Sequence, residues 1–197
     1  GTLDAVQHMF WRYIDPQHPL YEKGSLYRDT IFRYYEKIDH IIGDVLNSLD
    51  KDTTLIILSD HGFGPFRRVA HLNRWLLEKG FLFLKEGKKE GREFFEDVDW
   101  SKTKAYAIGF GGIYLNKIGR EYYGIVDESE VQDLKQAITK GLKELRDPKN
   151  DEKIVNNVYD QEDVFRGPYM NDAPDLFVGF NPGYRASWQT ALGSVPK

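Results

Sequence analysis

Residues 53–64, Thr-Thr-Leu-Ile-Ile-Leu-Ser-Asp-His-Gly-Phe-Gly, constrain this chain more than any other stretch. An apolar, β-branched run bounded by a polar lead-in and a glycine-containing exit reads as a short buried strand that ends in a turn. Asp60 and His61 then stand where strand gives way to loop, so two side chains able to bind a metal share rigid support. Gly62 and Gly64 let the backbone turn sharply beside them. Taken alone, the dipeptide reads first as an ordinary turn with a hydrogen-bonded histidine, and only second as a metal site.

A second pair of the same chemistry lies near the start of the chain. In Asp4-Ala5-Val6-Gln7-His8, a helix would place Asp4 and His8 at i and i+4 on one face. Asp4 also suits a helix N-terminus without any metal. Carboxylate oxygen with imidazole nitrogen fits Zn²⁺, Mn²⁺ or Fe, whereas Ca²⁺ and Mg²⁺ favour shells of oxygen alone. Two such pairs together would suit two metals a few Å apart, an arrangement used for displacement at phosphorus.

The rest of the chain supplies a scaffold of alternating strands and helices. Apolar residues at helical spacing (Ile31, Tyr34, Ile38, Ile41, Val45, Leu49) predict a helix within 25–49. A short helix over 71–79 should stop at Gly80, a residue suited to the left-handed position after a helix. Residues 81–84 could form a strand and 85–96 a charged surface excursion. Residues 104–108 and 112–115 read as a hairpin around Gly109-Phe110-Gly111, since neither a Walker nor a dinucleotide glycine spacing is present. Asp127 caps a helix predicted over 127–146, with Val131, Leu134, Ile138, Leu142 and Leu145 as its apolar stripe. Strands follow at 154–158 and 176–180, and 181–188 reads as a structured loop. Trp11, Trp75 and Trp188 read as core residues, and Arg185 as a loop brace ahead of a substrate contact. The pattern predicts an α/β fold with a largely parallel central sheet, on which sites form at the C-terminal ends of strands.

Bulk properties exclude several functions. The 197 residues carry 27 Lys and Arg against 31 Asp and Glu, a formal charge of −4, so a nucleic-acid partner held by a global basic field is not expected. There is no cysteine, which removes disulfides, thiolate metal sites and a cysteine nucleophile. No apolar run reaches the length of a membrane span. No repeat or linker divides the chain, so 1–197 is expected to be a single domain.

Asp4-x-x-Gln7-His8-x-Phe10-Trp11, Ser59-Asp60-His61-Gly62-Phe63-Gly64, Leu72-Asn73-x-Trp75-Leu76, Asn116 through Gly124-Ile125-Val126, and Ala173-Pro174-Asp175-Leu176 through Gly183-Tyr184-Arg185 resemble, in order, the type I phosphodiesterase and nucleotide pyrophosphatase branch of the alkaline phosphatase superfamily. The resemblance implies part of a three-layer alkaline-phosphatase-like fold, belonging to a larger catalytic domain. It implies that Asp60 and His61 bind one metal and Asp4 and His8 the second, with zinc first and manganese as the alternative. It further implies that the remaining ligands and a Thr or Ser nucleophile lie in segments before Gly1 and beyond Lys197. The implied activity of the complete protein is metal-dependent hydrolysis of phosphate esters or nucleotides through a covalent phosphoenzyme, and the chain alone is expected to be nearly inactive. The competing reading is a binding or interaction module that keeps the fold without catalysis. His71 falls where this family usually has an apolar residue, and its role stays open.

Overall fold

The computed structural model describes residues 2–197. The chain forms two compact units, Gly1–Gly64 and Pro65–Lys197.

In the first unit, α1 (Thr2–Phe10) is followed by a 3-10 turn, Trp11–Tyr13, and by the long helix α2 (Thr30–Ser48). Gln7, buried on α1, donates to the Tyr35 hydroxyl at 3.3 Å and fastens α1 to α2. Helix α2 follows the expected periodicity, yet within its stripe only Ile31 is buried, while Ile41 and Val45 are exposed.

Residues 53–58 correct the leading expectation: they form no strand, and Leu55 to Leu58 face solvent, Leu58 at 86% exposure. A strand exists only where a lateral neighbour takes its backbone N–H and C=O groups. Among the described residues no strand pairs with this segment. Its side-chain pattern is that of a buried strand, and its backbone is left without a ladder.

The second unit contains the sheets. Strand β1 (Phe66–Ala70) pairs in parallel with β6 (Gly183–Ala186), and the four strands β2 (Ala105–Ile108), β3 (Gly112–Leu115), β5 (Leu176–Phe180) and β4 (Val155–Asp160) form an antiparallel sheet in that order. The α/β class is as expected; among the described residues β1 and β6 are the one parallel pair of strands, with a single parallel bridge from Lys117 to Val126 besides. The predicted hairpin is present, with Ala105 opposite Leu115 and Ile108 opposite Gly112. Residues 81–84 contribute only a single bridge, from Leu84 to Val98. The predicted loop at 181–188 instead becomes β6 and the start of α6 (Trp188–Ala191).

Helices α3 (Leu72–Glu78) and α4 (Glu128–Lys143) form where their periodicity places them. Gly80 adopts φ +76° just past α3, and the Asp127 carboxylate accepts from Ser129 N–H at the start of α4. Leu72 and Leu76 of α3, Ile138 and Leu142 of α4, Ile113 and Leu115 of β3, and Leu176 and Val178 of β5 join one buried core. Each such side chain contributes about 1.5–3 kcal/mol on leaving water. The short helix α5 (Gln161–Val164) follows β4 directly.

Three buried polar side chains from the family-like motifs tie this unit together. Asn73 acts as a neighbouring strand for β2: its Oδ1 accepts from Ala107 N–H at 2.7 Å, and its Nδ2 donates to the Ala107 carbonyl at 2.8 Å and that of Ser194 at 3.2 Å. Asn116 donates to the carbonyls of Trp100, Thr103 and Tyr123, joining the loop before β2 to the loop after β3. Asp175, fully buried, accepts from Leu115 N–H and Arg120 Nη2, both at 2.7 Å, and pairs with Lys117 Nζ at 2.8 Å. Burial pushes the Asp175 carboxyl up, but Arg120, Lys117 and the Leu115 N–H outweigh it and hold the group below the usual carboxylate range.

Candidate functional site

All four residues expected to bind metal lie in the first unit. Helix α1 places Asp4 and His8 on one face, with His8 Nε2 3.5 Å from Asp4 Oδ1. The His8 ring meets Phe63 edge-on at 4.7 Å between centroids, and Trp11 packs against the same ring at 5.2 Å. Phe63 therefore pins the Asp60-His61 turn against α1. Asp4, Asp60 and His61 line one cleft of about 610 Å³ together with Thr2, Gln7, Tyr35 and Ser59. The structure thus brings together two pairs that lie far apart in sequence, with His8 held at the side by Phe63.

The turn fixes the His61 ring. Its Nδ1 lies 2.8 Å from the Gly62 carbonyl, and Ser59 Oγ donates to the His61 carbonyl at 2.6 Å. With Nδ1–H donating to that carbonyl, Nε2 carries the lone pair, 3.7 Å from Asp60 Oδ2. The Gly62 carbonyl, followed by the carboxylates of Asp60 and then Asp4, raises the imidazole above the usual histidine range.

The donor chemistry suits a divalent transition ion, and the fixed His61 tautomer presents a nitrogen lone pair for one. Among the described residues, no group of three His, Asp or Glu side chains gathers as a ready metal shell. The fit is that of two incomplete pairs, three of whose members line a common cleft.

The other polar residues noted in the sequence fall in the second unit. His71 precedes α3, its imidazole pushed below the usual range by burial and its Nδ1 buried without a partner. Arg185 lies on β6, its guanidinium packed against Phe66, Phe110 and Trp188. Trp75 is buried as expected, but Trp188 is 62% exposed, which corrects its assignment to the core. No local pattern marked β1: Phe-Arg-Arg-Val-Ala lacks strand alternation, and only its distant partner β6 makes it one.

The fold is α/β, and one cleft gathers carboxylate and imidazole side chains. The sequence model of the Type I phosphodiesterase / nucleotide pyrophosphatase family matches residues 1–191, and the chain belongs to that family. No curated protein and no solved structure matched in the parallel comparisons. Membership brings phosphodiesterase or pyrophosphatase hydrolysis at the family level, and small phosphate esters as the substrate class. No helix among the described residues is long and apolar enough to cross a membrane.

Proposed function

We propose that this chain provides part of a two-metal site for hydrolysis of small phosphate esters or nucleotides, with Asp60 and His61 as ligands to one ion and Asp4 and His8 as ligands to the other. Zinc suits these donors best, and manganese is the alternative. The observation that supports the reading is the convergence of Asp4, Asp60 and His61 on one cleft, with His8 held beside it by Phe63.

The chain's own residues have definite parts in this scheme. The Gly62 carbonyl keeps the His61 proton on Nδ1, so Nε2 is left to bind. Ser59 braces the turn through the His61 carbonyl, and Gln7 with Tyr35 holds α1 at the cleft wall. Bound divalent ions would polarise the phosphoryl group and neutralise the departing oxygen, while a hydroxyl nucleophile in the complete protein would take the phosphoryl group before water releases it.

The chain alone is expected to turn over phosphate esters only at background, because neither pair is joined by a third donor among the described residues. The test is hydrolysis of an aryl phosphodiester by the complete protein, with and without Asp60→Ala or His8→Ala. A fall of at least about 100-fold in zinc-supplemented activity is expected, since even residues supporting a metal ligand alter activity by 10–100-fold. Unchanged hydrolysis in both variants would refute the assignment, and absence of metal-dependent hydrolysis in the complete protein would favour a non-catalytic module. Robust turnover by the chain alone, lost on Asp60→Ala, would refute the expected inactivity.

A further inference from the structure

Within the second unit, two groups of aromatic rings line one pocket of about 340 Å³. In the first group, Phe95, Trp100 and Tyr106 meet pairwise edge to face, with centroids 5.2–5.5 Å apart. The second is Tyr122 and Tyr123, 4.7 Å apart, nearly perpendicular, and both exposed on the loop after β3. A concave site of this size, lined by rings and a few polar groups, has the make-up of a small-molecule site.

The first group of rings is fixed before any ligand arrives. Phe94 and Phe95 both take positive φ, +56° and +57°. Residues with side chains keep that conformation only where their surroundings hold them, and such positions gather at ligand clamps. The Phe95 ring packs over Gly193, where a Cβ would come within 2.6 Å of it. Tyr106 stacks on Tyr114 at 5.4 Å and 13°. Rings held in advance lose little entropy when the pocket is filled.

The fixed polar groups of the pocket offer acceptors. Asn116 is the one buried residue among those lining it, and its Nδ2 is spent on three carbonyls, that of Tyr123 among them, which settles the orientation of the amide. Its Oδ1 is buried with no hydrogen-bond partner, whereas buried polar atoms are ordinarily satisfied. Glu121 is the one charged residue lining the pocket. Its Oε1 accepts from the Tyr106 hydroxyl at 3.3 Å and from Arg120 Nε at 2.8 Å, while its Oε2 accepts from Lys117 N–H at 2.7 Å and has room for a second donor. Burial, and then Glu121, pushes the Tyr106 hydroxyl up, so it stays a neutral donor. Arg120 offsets part of the Glu121 charge, which leaves the ring faces the larger share of any attraction for a cation. An anion would be repelled by Glu121, and an apolar molecule without an N–H or O–H would bring nothing for the acceptors. A protonated amine on an apolar stem supplies the donors, the positive charge and the surface that rings cover.

We propose that this pocket binds a small alkyl- or arylalkylammonium ion, its ammonium group directed at Glu121 and Asn116 Oδ1 and its stem packed against the rings, with Tyr122 and Tyr123 on the solvent side. The pocket lies wholly within the second unit, and the proposal does not rest on the two-metal reading.

The test is a titration of the chain, with EDTA present, with phenethylammonium chloride, followed by tryptophan fluorescence. A saturable change is expected, and it should largely vanish in Trp100→Phe. Phenethyl alcohol, which keeps the shape and a donor but lacks the charge, and phenethyltrimethylammonium, which keeps the charge but lacks the N–H groups, should each bind about tenfold or more weakly, because a cation against partly enclosed ring faces, or a charge-assisted hydrogen bond, is worth about a factor of ten. Phenylacetate, the anion, should not saturate. Glu121→Gln and the double variant Tyr122→Ala with Tyr123→Ala should each weaken the amine by about tenfold. Far-UV circular dichroism establishes that the variants are folded, and a misfolded Glu121→Gln leaves the tyrosine variant, whose side chains are exposed, and the comparison ligands to decide. The proposal is overturned if the amine fails to saturate, if any of the three comparison ligands binds as tightly, or if affinity is unchanged in the folded tyrosine variant. Because no metal and no turnover are involved, failure here is distinguishable from failure of the two-metal assignment.

Discussion

Removal of the Asp175 carboxylate should be among the most damaging single changes in the second unit. Asp175→Ala would strip Leu115 N–H of its acceptor, which costs about 1–3 kcal/mol for a buried donor. It would also leave Lys117, whose side chain is only 20% exposed, without its ion-pair partner. Arg120 would be less affected, because Glu121 and the Leu115 carbonyl still accept from it. Breaking a buried pair from one side costs about 3–5 kcal/mol, and the retained Arg120 contacts place this case near 4. With a urea slope of about 2 kcal/mol/M, the unfolding midpoint should drop by about 2 M, followed by circular dichroism and fluorescence. Asp175→Asn keeps an acceptor for Leu115 but removes the charge, so about 2–3 kcal/mol is expected. Asp133→Ala, on an exposed face of α4, is the control and should move stability by less than about 0.5 kcal/mol. A loss below about 1 kcal/mol for Asp175→Ala would show that the cluster does not hold β3 and β5 together.

The same carboxylate gives a pH prediction: its folded-state pKa is depressed, so its stabilisation is present above the unfolded value near 4 and is lost as pH falls through the lower folded value. Acid unfolding of the wild type should therefore steepen below about pH 4, and Asp175→Asn should lack that component. Asn73→Ala should cost about 2–4 kcal/mol in urea unfolding, since it strands both backbone groups of Ala107 on the β2 edge. Gly124→Ala would bring a Cβ to 2.0 Å from the Lys117 carbonyl, so the loop must shift, and a loss of about 1–3 kcal/mol or more is expected in thermal unfolding.

Elements governed by local chemistry were legible in the sequence. Helices α3 and α4, with the Gly80 stop and the Asp127 cap, and the hairpin around Gly109 to Gly111 follow from periodicity and turn residues alone. Elements that depend on a distant partner were not. The run Leu55 to Leu58 has strand-like side chains but no described neighbour to bond with, whereas Phe66 to Ala70 reads poorly and becomes a strand because β6 lies beside it. The candidate site divides the same way. The i, i+4 spacing showed Asp4 and His8 on one face, but only the packing of Phe63 against His8 and Trp11 brings that face to Asp60 and His61. Trp188 read as core because tryptophan usually is; its place at the start of α6 beside Arg185 could not be seen without β6.

The central claim, that Asp4, His8, Asp60 and His61 serve as metal ligands, is met most directly by titrating the chain with zinc and following the imidazole resonances of its five histidines by NMR. Saturable shifts are expected at His8 and His61, with His18, His40 and His71 unmoved, and loss of the His61 response in Asp60→Ala and of the His8 response in Asp4→Ala. Equal shifts at all five rings, or no response at His61, would contradict it.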